Sequence, residues 1–170
     1  MEYFIANLEA SLKVDLPLLS LAGAFILIDA VSACDTDEGI ASQQNFTKWL
    51  KKYLSNYLAM GISEVDYYKF RCALLHQLSG SREDTLIPTL LFFPQGSCIK
   101  GHMNRINNAF NLDIPTFVRD VVEAARKCIL ESAYYQTHRN KMITLHREGL
   151  APYTAGIPVI GSAVPSKGKK

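Results

Sequence analysis

The chain has 170 residues, 48% of them apolar and 20% charged, and a net charge of +2. That composition is ordinary for a globular protein of one domain with a substantial core, and the charge is too small to imply nucleic-acid binding by itself. Six Lys or Arg against the single Glu148 lie from Arg139 onward, which leaves the rest of the chain slightly acidic.

Met1 to about Leu12 sets Phe4, Ile5, Leu8 and Leu12 at helical spacing, a short amphipathic first helix. Asp15 is positioned to cap a second helix, with Pro17 tolerated in its first turn. Residues 16–28 are apolar except for Ser20. A membrane span needs about 20 such residues, so a buried helix is expected instead. Val31-Ser32-Ala33-Cys34 resembles a lipoprotein cleavage site. The segment before it, however, carries Glu2, Glu9 and Asp15 against one Lys13, and Asp29 would fall inside the translocated stretch. The four cysteines, at 34, 72, 98 and 128, have no C-x-x-C spacing and read as free thiols in a reducing compartment. A cytoplasmic location with no membrane contact, no metal and no cofactor is therefore expected.

Asp29 has two readings: an exposed last turn leading into the polar loop 35–39, or a carboxylate that orients a basic group on a neighbouring helix. The third helix is the best-signalled element. Phe46, Trp49, Leu50, Tyr53, Leu54, Tyr57 and Leu58 follow one helical stripe, between a cap at Ser42 and a stop at Gly61. Its other face carries Lys48, Lys51 and Lys52, which read either as a solvated face or as contacts to a phosphate backbone.

Ser63 to Gly80 is the element around which the fold is expected to be organised. Ser63 with Asp66 is a short-armed capping box, and Gly80 stands where the helix should stop. Tyr67, Phe70, Leu74 and Leu78 form its stripe, widened by Val65, Tyr68, Cys72 and Leu75. Such a helix is mostly buried, yet it carries Arg71 and His76, which need either core partners or a cleft.

From Gly80 to Asp113 the pattern changes. Residues 86–93 are apolar with two prolines, residues 94–97 make a turn and residues 98–100 are placed to return, so a short hairpin or extended flap is expected. Asn104, Asn107, Asn108 and Asn111 mark irregular structure. His102, Lys100, Asn104 and Arg105 form a polar cluster, either an exposed loop or the rim of a cleft. Asp113 caps the last long helix, with Pro115 in its first turn and Val118, Val121, Val122, Ala125 and Ile129 facing the core. The pattern runs through Tyr134 to about Arg147, and Tyr134, Tyr135, His138 and Arg139 are placed either for packing or for a nucleotide groove. Residues 1–148 form one helical domain on this reading, and 149–170 a flexible tail that is mobile or borrowed by a neighbouring molecule.

Arg71-x4-His76 in an apolar helix, preceded by Tyr67-Tyr68-Lys69-Phe70, resembles the Arg-x4-6-His signature of the HEPN superfamily, the higher-eukaryote and prokaryote nucleotide-binding domains. The order of elements over residues 14 to 147 is similar to that of small stand-alone HEPN proteins. The resemblance implies an all-α bundle of about five helices, with the 46–58, 63–79 and 115–147 helices mutually packed around 16–33. It also implies a metal-independent endoribonuclease, as a toxin or defence component, that works as a homodimer on RNA. Its protein partner would be of antitoxin or nucleotidyltransferase type. Arg71 would stabilise charge on the phosphate and His76 would move the proton, supported by Asp29 and Cys72. Lys48, Lys51, Lys52, His102 and Arg105 would bind RNA.

Geometry limits what one protomer can offer. Residues five apart on a helix differ by about 140° and about 7.5 Å, so only a bent Arg71 side chain reaches the imidazole. One His is also too few for both proton transfers, which is why a shared two-fold cleft is expected. Many HEPN nucleases have Asn, Asp or His after the Arg, where this chain has Cys72. The Tyr two past the His in partners of nucleotidyltransferases is Leu78 here, which argues against modification at that position. The alternative function is a non-catalytic nucleotide- or RNA-binding or adaptor module.

Overall fold

The computed structural model describes residues 1–58, 61–81, 84, 89–97, 101–150 and 156–162. Helix α1 (Glu2–Lys13) buries Ile5 and Leu8. After a corner at Asp15, where φ is 53°, α2 (Pro17–Cys34) begins from Leu16 with no side-chain cap, so Asp15 turns the chain and does not cap the helix. Eleven residues of α2 are buried, on no single face. A helix apolar all round belongs in the middle of a core, and α2 packs against α1, α3 (Gln43–Tyr53), α4 (Glu64–Gln77) and α5 (Ile114–Glu131). Gly23 lets α1 come this close, because a Cβ there would lie 2.9 Å from Leu8 Cδ1. The organising element is thus α2, and α4 lies beside it.

Among the described residues α2 is the one helix long and apolar enough to cross a membrane, and 61% of that stretch is buried inside the fold.

The expected all-α bundle is wrong: the fold is mixed, with six helices and two small sheets of five strands among the described residues. In the first sheet β1 (Thr89–Phe93) and β3 (Ala109–Asp113) run parallel, and β2 (Asn104–Ile106) pairs antiparallel with β3. The Asn-rich stretch read as irregular is this β2–β3 hairpin. Asn107 and Asn108 form its two-residue loop, with Asn107 at φ 54°, a left-handed conformation that Asn tolerates. Asn111 Nδ2 donates to Asn104 Oδ1 across the pair. β3 is the central strand, and Phe110, Asn111 and Leu112 are all buried, so it shows no alternation that would have announced it. The return strand expected at 98–100, Lys100 included, lies outside the described residues, as do residues 85–88.

The helices also end earlier than the stripes suggest. α3 stops at Tyr53, and a 3-10 turn, Ser55–Leu58, keeps Tyr57 in the core. α4 stops at Gln77, with Leu78 taking the left-handed C-cap at φ 52°. Gly80 instead accepts the Leu90 N–H, tying the segment to β1. α5 stops at Glu131 because the stripe has run out: Leu130 is 86% exposed and Ser132 is extended. A single turn, α6 (Tyr135–His138), and a 3-10 turn, Arg139–Lys141, follow. β4 (Thr144–His146) then pairs with β5 (Val159–Gly161), a strand within a stretch expected to form no element.

The core joins these parts through Phe117 of α5, whose ring lies 5.5 Å from Phe25, 5.4 Å from Tyr57 and 6.5 Å from Tyr67. α4 meets α5 through that Tyr67 stack, and its main neighbour is α3.

Candidate functional site

Ser63 starts α4 as expected: its Oγ accepts the Asp66 N–H at 3.2 Å, and Asp66 Oδ2 accepts the Ser63 N–H at 2.9 Å. Burial of Tyr67, Phe70, Ala73 and Leu74 fixes the rotation of the helix. Tyr68, Arg71 and Cys72 are then left half-buried, while His76 is exposed. The Arg71 guanidinium reaches α2, where Nε donates to Asp29 Oδ2 at 2.5 Å and Nη2 pairs with the same oxygen. Nη1 lies 3.7 Å from Cys72 Sγ, and the guanidinium sits 5.8 Å from the Tyr68 ring centroid.

With 19% and 13% of the Arg71 and Asp29 side chains exposed, this is a largely desolvated ion pair. Burial pushes the Asp29 carboxyl above its ordinary value, against the opposing charge and hydrogen bond of Arg71 and a weaker pull from His76. Burial also works against the Arg71 charge, but Cys72 and Asp29 more than offset it and hold the guanidinium above its ordinary value. Of the two readings of Asp29, the structure therefore has the carboxylate that holds a basic group. Arg71, Asp29 and Cys72 come together; His76 stands at the edge of the cluster, four residues and one turn beyond Cys72.

The three lysines of α3 separate. Lys51 pairs with Glu64 at 2.5 Å and Lys52 with Asp35 at 3.4 Å, and no ion pair of Lys48 is found among the described residues. Arg105 is exposed on β2. His102 is neither an exposed loop residue nor an open rim group. Its Nδ1 accepts the Asp113 N–H at 3.3 Å, which leaves the ring proton on Nε2, 3.3 Å from Tyr57 Oη. Tyr57 in turn donates to Asp120 Oδ2 at 2.6 Å. Burial first, then the hydrogen bond and charge of Asp120, push the Tyr57 phenol far up, so it stays a donor. Asp113 Oδ1 accepts the Thr116 N–H and caps α5. These groups form a closed chain that ties the hairpin, the 3-10 turn and α5 together.

Sequence reading missed Tyr57 and Asp120 as partners of His102, having put Tyr57 on a core stripe and given Asp120 no role. One signal was available: a fully buried phenol needs an acceptor, and a carboxylate about two turns from the helix cap can supply it. Among the described residues no group of three or more His, Cys, Asp or Glu side chains is arranged to hold a metal ion. No family model, curated protein or solved structure matches this chain.

Proposed function

We propose that the chain is a non-catalytic nucleotide- or RNA-binding module, with the exposed His76 and the Asp29–Arg71 pair beside it as one contact surface. The nucleic-acid partner rests on the likeness of Arg71-x4-His76 to the HEPN signature. The non-catalytic reading rests on Arg71, whose charge and two of whose donors already serve Asp29. A guanidinium must lose that partner before it can clamp a phosphorane-like transition state, and one imidazole cannot serve both the attacking and the leaving oxygen.

The test is labelled single-stranded RNA incubated with purified protein in EDTA, beside His76→Ala. Retention of intact RNA, weakened about tenfold or less in the variant, is the expected result. Cleavage that disappears in His76→Ala would overturn the non-catalytic reading.

The exposure of His76 favours a second reading, the metal-independent endoribonuclease of a toxin or defence system, with two protomers sharing a cleft near residues 71 to 76. On that reading, mixing Arg71→Ala with His76→Ala protein restores part of the cleavage through heterodimers.

A further inference from the structure

A cavity of about 280 Å³ opens where the C-terminal ends of α2 and α5 meet the outer face of α3. Lys48 and Lys52, one turn apart on α3, line it together with Trp49, Asp35, Ser132 and Tyr134. Tyr134 keeps 42% of its surface exposed, so its ring is open to stacking. Trp49 is 2% exposed, and its indole N–H, which lies by the Cys128 thiol, has no hydrogen-bond partner of good geometry among the described residues.

The chemistry of this wall is two-sided. α2 ends at Cys34 and α5 at Glu131, a pole of partial negative charge where the Ala33 and Cys34 carbonyls already accept from Thr36 and Ser132 and the Asp35 and Glu131 side chains line the cavity. That end favours hydrogen-bond donors and disfavours an anion. The α3 end carries the two ammonium groups: Lys52 is half exposed and pairs loosely with Asp35, while Lys48 has no counter-ion among the described residues. A bare anion would use one end only, and an apolar ligand would strand both. A molecule with a phosphate at one end, hydroxyl or amino donors at the other and a flat ring between them matches both ends and Tyr134. A volume near 280 Å³ is at the small end for ligand sites, which limits the occupant to a single unit.

We infer that this cavity binds a mononucleotide, with Lys48 and Lys52 on the phosphate, Tyr134 against the base, and the Asp35 and Glu131 carboxylates accepting from the ribose hydroxyls or base amino group. It is a separate site from the Asp29–Arg71 surface and stands without it.

Trp49 is the only tryptophan and lies in the wall, so its emission reports on the site directly. AMP and UMP are titrated against the full chain by fluorescence and by calorimetry, beside adenosine and inorganic phosphate. The expected result is a saturable change with the mononucleotides in the millimolar range or below, and weaker binding of either half alone. Lys48→Gln, an exposed substitution, should weaken binding about tenfold. Lys51→Gln, whose lysine belongs to Glu64, should leave it unchanged. No saturable response by either method overturns the proposal. Phosphate alone binding as tightly as AMP, or equal losses in Lys48→Gln and Lys51→Gln, does so too.

Discussion

His76 and His102 belong to two polar clusters that differ in how completely their groups are used. Around His102 each hydrogen bond has a direction: Asp113 N–H to the ring, the ring to Tyr57, and Tyr57 to Asp120. Around His76 the chain is open, since Arg71 is satisfied by Asp29 and the imidazole beyond them faces solvent. A closed network adds rigidity and leaves nothing over for a ligand, whereas an open one retains a group that can bind. Histidines that look alike in sequence thus separate into structural and contact residues by the number of their partners.

Breaking the closed cluster should have the largest effect on stability. Asp120→Ala leaves the Tyr57 hydroxyl buried without its acceptor, at a cost of about 2 to 3 kcal/mol in urea unfolding. Tyr57→Phe in the same background should recover part of that loss, because the Tyr57–Asp120 pair is then gone while His102 Nε2 loses its acceptor.

In the open cluster, Arg71→Ala should cost about 1 to 2 kcal/mol, between the values for buried and surface pairs. It should also raise the Asp29 carboxyl further, since the lowering charge is removed. A carboxyl whose folded value is raised holds its proton where the unfolded chain has lost it, so its contribution to stability falls as pH rises through that window. That window opens at the ordinary carboxylate value and runs upward from it, and it should extend further in Arg71→Ala, as read by carbon NMR of Asp29.

The smallest effect concerns thiols. Burial pushes Cys34 up to about 11, with Cys128 adding to the shift, so it remains a thiol at pH 8. Cys34 and Cys128 are buried and Cys72 is half-buried. Alkylation followed by peptide mapping should find Cys72 modified first of these three.

The caps of α3, α4 and α5 were legible because they are local: Ser42, Ser63 with Asp66, and Asp113 act on backbone within three residues, whereas Asp15 turns the chain and caps nothing. Of the sheets only the extended stretch at 86–93 was legible, and it holds β1. β3 is buried on both faces and its partner β1 comes from 20 residues earlier in register, so neither alternation nor a hairpin signal marks their pairing. The end of α5 was obscured by aromatic residues after Ser132 that mimic a continuing stripe. At the site, the pairing of Arg71 with a carboxylate was legible because a buried guanidinium cannot shed its charge. The separation of Lys51 from Lys48 was not, since it depends on where Glu64 falls after an intervening turn.

RNA affinity of Asp29→Asn, measured against salt, tests most directly whether Asp29 occupies Arg71. If it does, removing the carboxylate charge frees the guanidinium, and binding should tighten several-fold with a steeper salt dependence, by up to about one phosphate contact. Loss of binding to the level of Arg71→Ala would contradict this, and would mean that Asp29 aims Arg71 at the ligand instead of withholding it.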